Sequence, residues 1–338
     1  MSERILIVRL SSIGDTIQCT PVARQIKRAR PDCYLTWVVQ PFALPCIQHN
    51  PHLDEIVVLD VPRPESWVNL WRRVRGRYDF TLDLQCLLKS GLATGVVNSP
   101  MRIGRDDGRE GSRWFHNRIM PSFGQQQYIA QTYLEQGSDL GLDPNDYVPE
   151  VFVGPGDRAA AAALWQEFGL KDTTPVVALL PFASTPRREW PIERFAEVGD
   201  RLAAETGARC LILGSRAERK RADGLARMMK SAPLVVAGRA SLGLAFGCIQ
   251  RCKLALGNES GLVHAAFGLG TPVVCILGRS PLRNGPKGDR AITLFSPCEF
   301  RPGPNQRACQ LGAGCHCQIE ITVDQALDAS RRMLELTN

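Results

Sequence analysis

Ile5-Leu6-Ile7-Val8-Arg9-Leu10-Ser11-Ser12-Ile13-Gly14-Asp15 is the stretch whose reading decides the fold. A short apolar strand, Ile5 to Val8, ends in small residues and a glycine, and a helical pattern follows from Thr16 to about Arg30. A strand apolar on both faces that turns at once into a helix belongs to a parallel sheet with helical crossovers. Further strands read at Leu35 to Val39, Ile56 to Leu59 and Tyr78 to Leu84, with helical patterns at Ser66 to Arg77 and Lys89 to Val97. Val151 to Pro155 and the Ala-rich run Asp157 to Leu170 form a link, after which the alternation starts again. Strands read at Pro175 to Leu180, Arg209 to Leu213, Leu234 to Val236, Leu254 to Leu256 and Pro272 to Leu277. The expected fold class is α/β, with two Rossmann-like, doubly wound domains. Their expected bounds are residues 1–156 and 157–338, with the last helix free to pack back on the first domain.

A chain of 338 residues suits two domains, and 44% apolar with 22% charged residues is a globular composition. No stretch reaches the roughly 18 to 20 apolar residues that span a bilayer, and the opening run is broken by Arg9. A cytoplasmic protein is therefore expected, and in that reducing compartment the twelve cysteines read as thiols or metal ligands. The formal net charge is +7, and much of the excess falls between Arg63 and Arg118, with eleven basic residues against six acids. Such a surface attracts phosphates, acidic sugars or an anionic leaflet. No zinc finger, helix-turn-helix or ribonucleoprotein signature is present, so no nucleic-acid partner is expected.

Ligands of open parallel sheets bind beyond the carboxyl ends of the strands. Four loops at such ends carry candidate chemistry. Ser11 to Asp15 turns sharply and leaves Asp15 near a helix N-terminus, where a carboxylate is favoured. It is no phosphate loop of the Gly-x4-Gly-Lys-Ser/Thr type. Ser184 to Trp190 offers Ser184, Thr185 and the cations Arg187 and Arg188, and a guanidinium takes two phosphate oxygens at once. Gly214 to Glu218 places an acid, Glu218, at the head of a helix. Glu259-Ser260-Gly261-Leu262-Val263-His264 aims the amides of Ser260 and Gly261 out of a helix start, with His264 one turn in.

In this order the four loops resemble glycosyltransferase family 9, the heptosyltransferases of lipopolysaccharide core assembly. The N-terminal half, with Tyr78-Asp79-x3-Asp83-Leu84-Gln85 and Lys89-Ser90, is most similar to heptosyltransferase I. The resemblance implies a GT-B fold with a ligand cleft between the domains, an inverting transfer from ADP-heptose to Kdo-lipid A, and no catalytic metal or other cofactor. It also implies peripheral attachment to the inner face of the inner membrane, where the acidic glycolipid acceptor lies. By the same resemblance Asp15 is the general base. Ser184, Thr185, Arg188, Glu218, Glu259, Ser260, Gly261 and His264 serve the ADP-sugar donor, and Ser12, Gly14, Arg63, Lys89 and Arg113 serve the acceptor. Arg188, Glu259 and Gln18 stand where the family usually has lysine, aspartate and histidine, which leaves the donor sugar open.

Cys298, Cys309, Cys315 and Cys317, with His316, could hold zinc or iron, but no Cys-x2-Cys pair is present and packed free thiols are the preferred reading. Three further readings stay open. One is a family relative with another nucleotide sugar or a protein acceptor such as an adhesin. A nicotinamide oxidoreductase would need Gly-x-Gly-x-x-Gly after a strand, and a non-catalytic nucleotide-binding regulator would need no base.

Overall fold

The computed structural model describes residues 2–122, 127–278, 282–296 and 317–335. The chain divides into two compact units, Met1–Phe152 and Val153–Asn338, with the division a few residues ahead of the boundary read from the sequence.

In the first unit the strands are β1 (Arg4–Val8), β2 (Tyr34–Val39), β3 (Glu55–Val58), β4 (Phe80–Asp83), β5 (Met101–Arg105) and β6 (Arg118–Met120). They form one parallel sheet in the order β3-β2-β1-β4-β5-β6. The helices are α1 (Ile13–Gln18), α2 (Thr20–Ala29), α3 (Pro64–Val74), α4 (Leu88–Gly95) and α5 (Ile129–Gln136). Leu6 and Val8 of β1, Val38 of β2, and Leu70 and Val74 of α3 close one core, and all are fully buried.

The single helix expected from Thr16 to Arg30 is two. Pro21 lacks the N–H that would bond the Ile17 carbonyl, so the helix cannot run on. The Thr20 hydroxyl donates to that carbonyl instead, at 2.8 Å. The strands β5 and β6 escaped the sequence reading because arginines interrupt their apolar pattern. Arg102 donates to the carbonyls of Ser99 and Phe115, and Arg105 is buried.

The second unit repeats the plan. Strands β7 (Val176–Leu180), β8 (Arg209–Ile212), β9 (Leu234–Val235), β10 (Leu254–Asn258), β11 (Val273–Leu277) and β12 (Ala291–Phe295) lie in the order β12-β11-β10-β7-β8-β9, all parallel. Its helices are α6 (Pro155–Glu167), α7 (Ile192–Thr206), α8 (Arg219–Met228), α9 (Leu242–Gln250), α10 (Gly261–Gly268) and α11 (Val323–Glu335). The core holds Val177, Leu179, Phe195, Leu254, Leu256, Val274 and Ile276. The stretch read as a link is the helix α6. The last helix, α11, packs against α7 and β10 to β12 of its own unit. No described helix is long and apolar enough to cross a membrane.

Each sheet reverses its winding beside its first strand, between β1 and β4 in the first unit and between β7 and β10 in the second. Helices pass to opposite faces there, and a crevice opens beyond the strand ends. The crevice of the second sheet depends on close approach of β7 and β10. A Cβ on Gly257 would stand 2.5 Å from Leu180 Cβ and 2.7 Å from the Leu180 carbonyl oxygen. Gly257→Ala is therefore expected to destabilise this unit by about 1–3 kcal/mol, the cost of forcing atoms into a filled core. Urea unfolding followed by circular dichroism checks it, and an unchanged midpoint would contradict the packing described.

Candidate active site

Beyond β1, at the first crevice, Ser12 caps α1 and Asp15 occupies its third position. The Asp15 carboxylate is 38% exposed, yet both oxygens are held. Arg9 lies 3.0 Å from Oδ1 and the Tyr133 hydroxyl donates to the same oxygen at 3.2 Å. The Ser12 hydroxyl donates to Oδ2 at 2.7 Å, and the Ser12 amide to Oδ2 at 3.3 Å. Burial works to raise the pKa of this carboxyl, but Arg9, Ser12 and Tyr133 outweigh it and hold it below its ordinary value. Gly14, the second residue of α1, is buried.

Lys89 reaches this loop from α4. Its ammonium donates to Ser11 Oγ at 2.9 Å and to Gln40 Oε1 at 3.0 Å, and partial burial with the nearby Arg9 charge lowers its pKa. Gln85 joins the set by accepting from the Leu10 amide and donating to Ser11 Oγ. Thus the loop carries two neighbouring hydrogen-bonded sets, Ser12 with Asp15, and Ser11 with Gln85 and Lys89. Arg63 and Arg113 lie outside both, exposed on the segments after β3 and β5, with Arg63 paired to Asp60 at 3.0 Å.

Behind these sets sits an arrangement that the sequence reading missed. Asp83, fully buried at the end of β4, accepts from the amides of Gln85 and Cys86 and from the Ser90 hydroxyl, and lies 3.0 Å from His116 Nε2. A buried carboxylate needs such partners, and they fold residues 85–90 so that Gln85 and Lys89 face Ser11. Asp83 was legible as part of a motif, but His116, 33 residues away, carried no local signal. The basic run Arg63 to Arg118 is likewise not one surface. Arg105 is buried, while Arg73 and Arg118 pair with Glu55 and Asp139.

In the second unit Arg188, in the turn after β7, lies 3.5 Å from Glu259 Oε2, and His264 Nε2 lies 3.3 Å from Glu259 Oε1. Arg188 is 40% exposed, against 11% for Glu259 and 3% for His264. The turn is fixed from beneath: Asn258 accepts from the Trp190 amide at 2.9 Å and donates to the Pro181 carbonyl at 2.6 Å. Ser260 caps α10 and Gly261 begins it, so their amides lie in the turn that has no intrahelical acceptors. Ser184 and Thr185 are exposed on the same turn as Arg188. Glu218 accepts from the Ser215 amide at 2.6 Å and so caps the start of the next helical segment. Sequence reasoning did not find Glu189, which pairs with Arg221 and accepts from the Ala183 amide, bracing the Arg188 turn.

Cys298, Cys309 and Cys315, with His316, lie outside the described residues, and Cys317 is buried. Cys19, Cys33, Cys46, Cys86, Cys210, Cys248, Cys252 and Cys275 are free thiols.

A model of glycosyltransferase family 9 (heptosyltransferase) matches residues 67–311. The chain is 28% identical over 332 residues to lipopolysaccharide heptosyltransferase 1 of Pseudomonas aeruginosa, with 90% of each chain covered. A family 9 glycosyltransferase from Veillonella parvula superposes with a TM-score of 0.88 at 21% identity, over 99% of this chain and 98% of that one. The Escherichia coli heptosyltransferase WaaC, solved with ADP-2-deoxy-2-fluoro heptose, gives 0.71 at 20% identity, over 99% of this chain and 100% of that one. With two six-stranded parallel sheets of matching order and a family match across most of its length, this chain has the GT-B fold, belongs to glycosyltransferase family 9 and is a glycosyltransferase.

Proposed function

We propose that this protein transfers heptose from ADP-heptose to the Kdo-lipid A inner core of lipopolysaccharide, with inversion at the anomeric carbon and without a catalytic metal. The observation that carries the reading is Asp15, a half-exposed carboxylate held ionised at the switch point of the first sheet. The named activity of the Pseudomonas relative and the ADP-heptose analogue bound to WaaC support the donor and the acceptor class. The first unit holds the acceptor through Ser12, Lys89 and the exposed Arg63 and Arg113. The second holds the donor through the Arg188 turn and the start of α10.

In the reaction the acceptor hydroxyl oxygen attacks the anomeric carbon while the bond from that carbon to the diphosphate breaks. Asp15 takes the hydroxyl proton, and the bond electrons leave with ADP. Charge accumulating on the diphosphate is met by the Arg188 guanidinium and by the amides of Ser260 and Gly261. The acceptor is anionic and lipid-linked, so the protein works at the inner face of the inner membrane as a peripheral protein.

Mass spectrometry of Kdo-lipid A incubated with the protein and ADP-heptose is the direct test, with other nucleotide sugars and an adhesin polypeptide in parallel. A heptose added to the lipid upholds the proposal, whereas product only with another sugar or only on the polypeptide overturns it. Asp15→Ala is expected to lower the transfer rate about 10²- to 10⁴-fold while ADP affinity, read by calorimetry, is retained. Turnover within about threefold of the parent would remove Asp15 from the chemistry.

Arg188→Ala is expected to weaken ADP binding and slow the chemical step together, and His264→Ala to act in the same direction more weakly. Unchanged ADP affinity in both variants would move the donor site elsewhere. Neutralising Arg63 and Arg113 together is expected to raise the acceptor KM and spare the donor KM. The parent's acceptor KM should also rise with salt, since exposed charges are screened beyond about 8 Å at physiological ionic strength. An acceptor KM flat from low to high salt would count against these cations.

A further inference from the structure

We infer that Tyr133 is a positioning residue for Asp15: with Arg9 it fixes Oδ1, leaving Oδ2 as the atom that receives the acceptor proton. The inference rests on the base role proposed for Asp15. Its ground is the division of partners between the two oxygens. Oδ1 is engaged from the interior by Arg9 at 3.0 Å and by Tyr133 at 3.2 Å, both side chains belonging to residues no more than 5% exposed. Among the described residues Oδ2 is engaged by Ser12 alone, through an exposed hydroxyl and amide of the same loop. The Ser12 hydroxyl thus sits where a donor from solvent would sit. An acceptor sugar hydroxyl replaces it there, and its proton passes to Oδ2 as its oxygen bonds to the anomeric carbon.

Tyr133 is itself fixed. It comes from α5, is 3% exposed, and its ring is contacted by the guanidinium carbons of Arg9 at 5.1 Å and Arg105 at 5.6 Å from the centroid. Arg105 is anchored in turn by Asp107 and by Gln136, one turn along the same helix from Tyr133. Burial pushes the Tyr133 phenol far above its ordinary value, so the hydroxyl stays a neutral donor. The remaining titratable groups facing this carboxylate and its arginine are Cys19, which burial pushes up to about 12, and Lys89, which approaches Arg9 from α4. Neither changes charge in the acid range where Asp15 does. An acid limb that moves with the hydroxyl at position 133 therefore reports Asp15.

The sign follows from which form works. The ionised carboxylate is active, so activity is present above its pKa and lost as pH falls through it. Removing a donor to the carboxylate raises that pKa and moves the acid limb to higher pH. Tyr133→Phe keeps the ring between its cationic neighbours and deletes only the hydroxyl. It is expected to lower kcat about tenfold, to leave the donor KM unchanged, and to move the acid limb of kcat upward by about half to one pH unit. An isosteric control, 3-fluorotyrosine incorporated at position 133, strengthens the donor without altering packing and is expected to move the limb the other way. Kcat–pH profiles of the parent, both position-133 proteins and Asp15→Ala decide the matter. An inactive Asp15→Ala protein alongside position-133 proteins with parental kcat and limb would overturn the inference alone. An active Asp15→Ala protein would overturn the base role, and this inference with it.

Discussion

A guanidinium kept out of water at the end of β1 is the constraint on which the first crevice depends. Arg9 is 5% exposed, and a charge so placed needs groups that replace water. Its partners come from different parts of the unit: the Leu84 carbonyl after β4 at 2.6 Å, Asp15 in α1, and the Tyr133 ring in α5. Asp15 cannot turn toward solvent without uncovering that charge, so the carboxylate is fixed by the cost of exposing its partner to an apolar interior. The same demand acts one layer deeper. Asp83 is buried beside His116 and Ser90, and its carbonyl accepts from Gln136, which also holds Arg105. The chain from Arg9 to Arg105 is thus a run of paired buried groups, none of which moves alone.

The second crevice is built on the opposite principle. Arg188 is 40% exposed and stands 3.5 Å from Glu259, a longer pair than that of Arg9 and Asp15 and one in which the cation, not the carboxylate, faces solvent. The guanidinium keeps solvent-facing donors, so an arriving anion can engage it without first displacing Glu259. What is rigid there is the frame and not the cation. Asn258 clamps β10 to the Trp190 turn through two hydrogen bonds, and Trp190 packs edge-on to Phe195 at 5.1 Å while its indole nitrogen donates to the Ile321 carbonyl. A cation free to swing on a stiff turn suits a ligand that arrives and leaves in each cycle. A carboxylate locked to a buried arginine suits a group that must stand in one place.

The division between what the sequence told and what it hid follows the range of the interactions. Apolar strands such as Val176 to Leu180, buried at every residue, announce themselves without tertiary context. So did the loops after β1, β7 and β10, because a parallel sheet places its ligands at strand ends whatever the details. Strand β5, Met-Arg-Ile-Gly-Arg, did not, since its arginines find partners only in the folded chain: Arg102 on two carbonyls, Arg105 on Asp107 and Gln136. For the same reason the eleven cations from Arg63 to Arg118 read as one face, although one of them lies in the core. Tyr133 and His116 act on Asp15 and Asp83 across 118 and 33 residues, and no local pattern marks either. The break between α1 and α2 was legible in principle, because Pro21 forbids the bond that a continuous helix needs.

Pairing a base with an arginine weakens it, and the reaction proposed gives a reason for accepting that loss. An unpaired carboxylate at the point of attack would carry a full negative charge toward an anionic diphosphate donor and an acidic acceptor. Near a protein surface, two unit charges a few ångströms apart repel by several kcal/mol. The Arg9 guanidinium cancels most of that field while leaving Oδ2 able to accept a hydrogen bond. A sugar hydroxyl gives up its proton readily only once its oxygen has begun to bond to the anomeric carbon, when its acidity rises steeply. A weak, correctly placed carboxylate is sufficient at that point, and a strong one would gain little from arriving earlier. Placement then matters more than basicity. This is the balance expected of a carboxylate whose inner oxygen has two buried donors and whose outer oxygen is met by an exposed serine.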